Sequence, residues 1–459
     1  MLKQNIQNNV VDFQQQITEY VENENYESAV NIIINQPMTE AVSILEGLEH
    51  SIREPLINLL DANFFKESIS WLPDYIVREI VDIKGLDFII TLIQSIKNDD
   101  IPYIIVKDLE DEEQEQILDS MSLYHRKAIE KKLTYPKDSA GRLMQSTFIA
   151  VLKDWTVAQA IIYIKELEKS NKDAIPSRWH NIFIIDDMGM AIGSISMSSL
   201  VLADSKKNIL DIKDENFKTI PTNLDQEEVA LVFRDRGLVV AGVVNEEGIL
   251  VGAINIDDVV DVIYKEVEED FLLASGVEGQ ANSSYKKIFS ISKTRLKWLC
   301  VNFAQAMVIP IIVSRFSHTL EKHIIISALI SFVVGLGGNA GLQTVSVTIR
   351  GLALKLISKA NAFAQIRKEL SVALINGLVL GLAGCVWGLF WGDAHIIGLI
   401  AFLAVLINVM LGATLGSFVP LILKRLNIDP AVASSMFVTI FTDILGFFVV
   451  LLIATMLLN

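Results

Sequence analysis

Asp443 is the residue whose placement most demands chemistry. It sits in Phe441-Thr442-Asp443-Ile444-Leu445-Gly446-Phe447, inside an otherwise apolar run over 431–458. A carboxylate at the middle of a membrane-spanning helix costs about 2.5–3.5 kcal/mol on insertion scales. No Lys or Arg lies mid-span to neutralise it, so a cation path is the reading that accounts for it, against a structural hydrogen bond or a helix end. A second concentration of carboxylates is Asp257-Asp258-Val-Val-Asp261-Val-Ile-Tyr-Lys265-Glu266-Val-Glu268-Glu269-Asp270, seven acids with one base. At helical spacing Asp258, Asp261, Lys265 and Glu269 share a broad face, which is either solvated or neutralised by bound cations. A third feature is the run Gly335-Leu336-Gly337-Gly338-Asn339-Ala340-Gly341-Leu342-Gln343-Thr344. Its glycines permit close helix approach, or expose carbonyls where a helix unwinds. Gly335-x-Gly337-x-x-Ala340 fits a dinucleotide fingerprint by letter only, because no strand–turn–helix context surrounds it. Asn302, Gln305, Asn376 and Asn408 are further polar residues in apolar runs, as interhelical hydrogen bonds or as pore lining.

These residues need elements to hold them. Five segments are long and apolar enough to cross a hydrocarbon core of about 30 Å: roughly Trp298–Val313, Ile324–Ile349, Leu370–Trp391, Ile396–Leu423 and Ala431–Leu458. Twelve bases flank them on one side (Lys286, Lys287, Lys293, Arg295, Lys297, Arg350, Lys355, Lys359, Arg367, Lys368, Lys424, Arg425), against Arg315 and Lys322 on the other. Positive charge stays inside, so the N-terminus is expected in the cytoplasm and the C-terminus outside, in a multi-pass plasma-membrane protein. Cys300 and Cys385 lie within these runs and are expected as buried packing residues, with no disulfide.

The chain is two chemistries under one average. Its net charge is −16, but the part from Lys286 onward holds 14 bases and five acids, net +9, leaving −25 on the rest. So acidic a surface excludes nucleic acid as a main partner. No paired catalytic constellation, HExxH or nucleophile elbow is present, so no enzyme is expected. The segment Met1–Phe13 is polar, without the apolar core of a signal peptide. Residues 1–135 read as all-helical, with apolar residues at helical spacing and breaks at Gln36-Pro37, Leu72-Pro73 and Asn98-Asp99-Asp100, the pattern of a small α-solenoid. Residues 183–201 then realign with 242–260 at a constant offset of 59, Gly189 on Gly248 and Gly193 on Gly252. Each copy reads as strand, turn, strand and helix start, preceded by an amphipathic helix at Trp155–Leu167 or Asp225–Arg236.

The duplicated unit resembles a pair of CBS domains, which allows an adenine nucleotide as ligand. The usual pattern is a hydroxyl followed three residues later by an Asp. The first copy has Ser196 with Ser199, and the second Asn255 with Asp258, so neither carries both. The whole chain resembles the MgtE magnesium channel/transporter family. The resemblance is carried by Tyr135-Pro136-Lys137-Asp138-Ser139-Ala140-Gly141-Arg142-Leu143-Met144, Asp257-Asp258-Val-Val-Asp261, Gly337-Gly338-Asn339-Ala340-Gly341-Leu342-Gln343 and Thr442-Asp443-x-x-Gly446. It departs at Leu342, where the family has a polar residue, and at Ala241-Gly242, where it has Ala-Pro. The fold implied is a multidomain membrane protein: an all-α helical N-terminal domain (1–135), α+β tandem CBS domains (136–202 and 203–265), a connecting or plug helix (266–290) and a five-helix transmembrane domain (291–459).

The resemblance further implies a homodimer in membrane lipid, with Mg²⁺ as both substrate and regulator. Asp443 would hold the hydrated ion. Gly337, Gly338, Asn339, Gly341, Gln343, Asn408, Thr442 and Gly446 are the pore-lining candidates. Asp258, Asp261, Glu266, Glu269 and Asp270 would form the sensor helix, with Asp225, Glu227, Glu228, Asp99 and Asp100 as further regulatory candidates. No Walker motif is present, so uptake is expected to run down the electrochemical gradient, with closure by cytosolic Mg²⁺. The competing readings are a transporter of Co²⁺ or another divalent cation, and a non-conducting membrane-anchored sensor.

Overall fold

The computed structural model describes the chain except residues 1, 97–99, 108, 171–174, 177–178, 276, 278–287, 359, 391–393, 432–433 and 459. It divides into two compact units, Met1–Tyr264 and Lys265–Asn459.

The first unit opens with helices α1 (Leu2–Glu22) through α10 (Leu123–Thr134). Their boundaries follow local chemistry. Pro37 and Pro73 immediately precede α3 (Met38–Gly47) and α6 (Asp74–Lys84), where a missing N–H costs nothing. Asp61 caps α5 (Ala62–Ser68) by accepting from the Phe64 N–H at 2.9 Å. Successive helices pack on those one or two places along the chain, as in a solenoid. Their apolar stripes merge into one core that includes the fully buried Ile33, Ile44, Leu45, Leu56, Ile57, Phe65 and Ile80, each such side chain contributing about 1.5–3 kcal/mol. One ion pair lies within it: Arg53 Nε donates to Glu79 Oε2 at 2.7 Å, both side chains at most 3% exposed. Arg53 also donates to the carbonyls of Leu45 and Leu48, and His50 Nδ1 contacts the other oxygen of Glu79.

The sequence duplication is a structural one. In the first copy β1 (Ala150–Leu152) pairs parallel with β2 (Asn181–Ile185), which pairs antiparallel with β3 (Ala191–Ser196). In the second, β4 (Thr219–Pro221), β5 (Val240–Val244) and β6 (Leu250–Asn255) repeat that order. The hairpin strands are offset by the same 59 residues as the sequences, and so is the register shift, at Ile184/Ile185 and Val243/Val244. Gly189 and Gly248 turn the two hairpins at φ +81° and +82°, a conformation that needs glycine. Helices α12 (Val157–Ser170) and α14 (Gln226–Arg236) precede the hairpins, while α13 (Met197–Leu202) and α15 (Ile256–Ala274) follow them.

The segment Tyr135–Met144, which contains the short α11 (Ala140–Leu143), fastens the helical region to the second copy. Ala140 and Gly141 donate to the carbonyls of Leu224 and Thr222, Arg142 holds the carbonyls of Tyr135 and Leu133, and the Tyr135 ring fills the space a Cβ on Gly141 would take. Helix α15 runs unbroken across position 265.

The second unit contains five helices long and apolar enough to span a membrane: α16 (Ile288–Arg315), α18 (Ile325–Ala353), α19 (Ala362–Gly388), α20 (Ala394–Arg425) and α21 (Ser434–Leu458), with the short α17 (Ser317–Lys322) after the first. α20 packs against α18, α19 and α21. Glycine makes this possible. A Cβ on Gly412 of α20 would lie 2.3 Å from the Gly337 carbonyl oxygen of α18, and one on Gly416 2.6 Å from that of Gly341. Along α19 the buried Gly377, Gly381, Gly384 and Gly388 form a second such seam, the small-residue packing that lets helices approach in lipid. In the glycine run of the second span, Gly337 and Gly341 therefore serve packing. The expected unwinding does not occur, because α18 is continuous through it and its carbonyls stay within the helix. Cys300 also differs from expectation: it is exposed on α16.

Candidate ion path and regulatory acids

α21 (Ser434–Leu458) places Asp443 well inside its length, nearer the N-terminal end, and half-buried. At about 1.5 Å per residue, each end of this helix is some 14–23 Å away. Among the described residues the hydrogen bond given to its carboxylate comes from a neutral group: Gln305 Nε2 of α16 donates to Oδ2 at 3.2 Å. Thr442 beside it is fully buried, donates to the Thr439 carbonyl at 3.0 Å, and lies 3.8 Å from where a Cβ on Gly338 would be.

The other lining candidates separate into two groups. Gly337, Gly341, Asn408, Thr442 and Gly446 are buried between helices. Asn408 is fully buried at the meeting of α18, α20 and α21. Its Nδ2 donates to the Val333 carbonyl at 2.8 Å, and its amide fills the space that a Cβ on Gly337 or Gly446 would occupy. These five are thus turned into packing rather than onto an open surface. Gly338 is half-buried, while Asn339 and Gln343 are exposed, in line with exposed Ser346 and Arg350 along one side of α18. A polar stripe on a spanning helix is costly against lipid tails and finds its place against water or another polar surface.

Among the regulatory candidates, Asp258 sits in the first turn of α15. Its Oδ2 accepts from the Asn255 N–H at 3.2 Å and from Gln145 Nε2 at 3.0 Å, a capping role. Ser196 likewise caps α13 through the Ser199 N–H. The hydroxyl–carboxylate pair for a nucleotide is assembled in neither copy, and the cavity beside Asn255, lined by Gln145, Phe148, Trp179 and Asn181, measures about 10 Å³, room for a single water. Asp225 caps α14 by accepting from the Glu227 N–H at 2.8 Å, and Glu227 and Glu228 stand in that helix's first turn, where its dipole favours them. Asp261 and Glu269 are exposed. Asp99 lies outside the described residues, as does the side chain of Asp100, which opens α8 (Asp100–Val106).

Glu266, Glu269 and Asp270 come together with a residue the sequence reading missed, Asp429, in the loop between α20 and α21. Burial first, then the charges of Asp429, Glu266 and Glu269, push the Asp270 carboxyl up to about 6. The signal available in the sequence was that Asp429 is an acid four residues past the basic pair Lys424-Arg425. Among the described residues no group of three or more His, Cys, Asp or Glu, these acids included, is arranged to hold a metal ion.

Comparison with known proteins follows the same division. Residues 330–453 match the family model MgtE, described as a divalent cation transporter. Residues 36–138 match the MgtE intracellular N domain, and 209–265 a CBS domain. The chain is similar to the magnesium transporter MgtE of Bacillus subtilis, 27% identical over 340 residues and 74% of each chain. It is similar also to that of Thermus thermophilus, 27% identical over 377 residues, covering 82% of this chain and 80% of the relative. Among solved structures it is similar to the soluble part of a magnesium transporter, at 19% identity and a TM-score of 0.46, over 56% of this chain and 99% of that one.

Proposed function

Because the chain belongs to the MgtE family of divalent cation transporters, we propose that it conducts Mg²⁺ into the cell, with Asp443 as the ion's ligand in the membrane. The observation that carries this reading is a carboxylate inside a spanning helix whose hydrogen-bond partner, Gln305, is neutral. The similarity to two magnesium transporters along most of their length supports Mg²⁺ as the cargo. Mg²⁺ gives up its waters reluctantly, so one carboxylate with the polar side chains of Asn339 and Gln343 suits a hydrated ion. The exposed polar side of α18 is accounted for if a second copy covers it, with the path between the two. An inside-negative potential supplies about 2.3 kcal/mol per charge per 100 mV, roughly twice that for Mg²⁺, so no other energy source is required.

The regulatory half of the proposal is that cytosolic Mg²⁺ closes this path. Asp270 lies in the field of Asp429, Glu266 and Glu269, and a cation bound beside it would offset those charges. One partner sits on the helix that follows the tandem units and the other on a loop between spanning helices, so ion binding there couples the two. The same proximity supports a cytoplasmic α20–α21 loop, the side assigned to it by Lys424 and Arg425.

The test is Mg²⁺ influx into liposomes containing the purified full chain. The expected result is influx driven by an inside-negative potential and lost in Asp443→Ala, with the variant still inserted. Unchanged influx in that variant would overturn the assignment, and no influx in the unaltered protein would favour a non-conducting sensor.

A further inference from the structure

Asp443 is oriented from another helix. Gln305 reaches it from α16, a helix that packs chiefly against α21 and is otherwise largely exposed. Two further features bear on this tie. Pro310 lies within α16, five residues past Gln305. Proline removes the N–H that would bond the Ala306 carbonyl, so the helix is weakest in the turn beside Gln305. In addition, the Gln305 amide engages Oδ2 alone. One carboxylate oxygen is fixed and the other is left for the path.

We infer that Gln305 is a positioning residue that sets the preference of the Asp443 site among divalent cations, an inference that rests on Asp443 being the ion's ligand. Mg²⁺ demands a near-octahedral shell at about 2.0–2.1 Å and keeps its waters, whereas Ca²⁺ accepts six to eight oxygens at about 2.3–2.6 Å, including both oxygens of one carboxylate. A carboxylate tethered through Oδ2 offers one oxygen to the waters of a hydrated ion. Released, it can turn both oxygens to the ion, which suits Ca²⁺ better than Mg²⁺. The tether therefore works against the competitor as much as for the substrate.

The experiment measures Mg²⁺ and Ca²⁺ influx into liposomes for the full chain and two variants. Gln305→Met keeps the length and shape of the side chain but loses the donor. It is expected to raise KM for Mg²⁺ about tenfold or more, the loss of one hydrogen bond to a charged group, and to lower the Mg²⁺/Ca²⁺ rate ratio about fivefold, with the maximal rate within about twofold. Gln305→Glu adds a second carboxylate, which is expected to lower KM and slow the maximal rate, because a deeper site is harder to leave. A purely structural tie between α16 and α21 would reduce the amount of inserted protein or the maximal rate and leave KM and the ion ratio alone. That result, or wild-type behaviour of both variants, would overturn the inference. Asp443→Asn separates the two layers. If it conducts normally, the ligand assignment fails and this inference with it; if it is silent while both Gln305 variants keep wild-type KM and ratio, only the role of Gln305 falls.

Discussion

Glu79 and Asp443 are both carboxylates withdrawn from bulk water in helical stacks, and the chain treats them in opposite ways. Glu79, 1% exposed, is matched inside its own domain by the Arg53 guanidinium at 2.7 Å, with His50 at its other oxygen. Arg53 in turn spends its remaining donors on the carbonyls that end α3. Asp443 is half-buried and is given a neutral amide. A carboxylate neutralised by its own chain is part of a fold. One given a neutral hydrogen bond, as Asp443 is among the described residues, keeps its negative potential, which is what the proposed ion ligand requires. The two domains also differ in what drives their packing. The N-terminal helices bury large aliphatic side chains in water, whereas α18, α19 and α20 meet through glycine, since lipid offers no hydrophobic gain for burying Leu against Leu.

This contrast can be broken most directly at the two carboxylates. Asp443→Ala should abolish Mg²⁺ influx while leaving the thermal unfolding of the cytosolic part unchanged. Glu79→Ala should do the reverse. Leaving the Arg53 charge buried and unpaired costs about 3–5 kcal/mol, read as a lower midpoint in denaturant for the N-terminal helices, with the ion selectivity of the surviving protein unaltered. If Glu79→Ala shifted selectivity, or Asp443→Ala lowered the cytosolic midpoint, the division into structural and functional acids would fail.

A smaller effect tests the packing half of the comparison. Gly412→Ala places a methyl 2.3 Å from the Gly337 carbonyl oxygen, so α18 and α20 must separate. The expected cost is about 1–3 kcal/mol, seen as reduced heat stability of the detergent-solubilised membrane domain. An equally small methyl at exposed Gly335, where nothing lies within 4 Å, should be tolerated.

The subtlest prediction concerns pH. The Asp270 carboxyl, ordinarily at 3.8, is raised to about 6, so its packed arrangement is fully favoured below the ordinary value and loses that support as pH rises through about 6. Without Mg²⁺, hydrogen exchange in α15 should therefore increase between pH 5 and 7, and added Mg²⁺ at pH 7.5 should restore protection in place of the proton. Asp270→Asn should flatten the pH response. An unchanged profile would remove Asp270 and Asp429 from the closure.

Much of this was legible in the sequence because it depended on local period and on composition. The 59-residue offset placed both hairpins to the residue, since a strand–turn–strand register is set by its own alternation and its turn glycine. The five spans followed from hydropathy, but α16 starts ten and α19 eight residues before the expected Trp298 and Leu370, because charged or polar flanks such as Arg367 and Lys368 continue a helix that apolarity alone would stop. Less legible were the uses of individual residues. Gly337, Gly341 and Asn408 carry the residue types of a pore lining, but helix rotation turns them inward. Asp258 and Asp225 read as cation ligands and are helix caps. Asp429 was invisible as part of a cluster because its partners lie more than 150 residues away in the chain.

The sequence by itself determined the architecture: a helical acidic domain, a duplicated α+β unit and five apolar spans with a single acid well inside the last. Each of these is written in short-range pattern, in local period and composition. Only the tertiary structure decided which polar groups meet. That Gln305 faces Asp443 across 138 positions, that Arg53 and not an ion answers Glu79, and that Asp270 shares its surroundings with Asp429 depend on how helices rotate and pack. Those contacts are governed by glycine seams and buried side-chain volumes that no local period encodes.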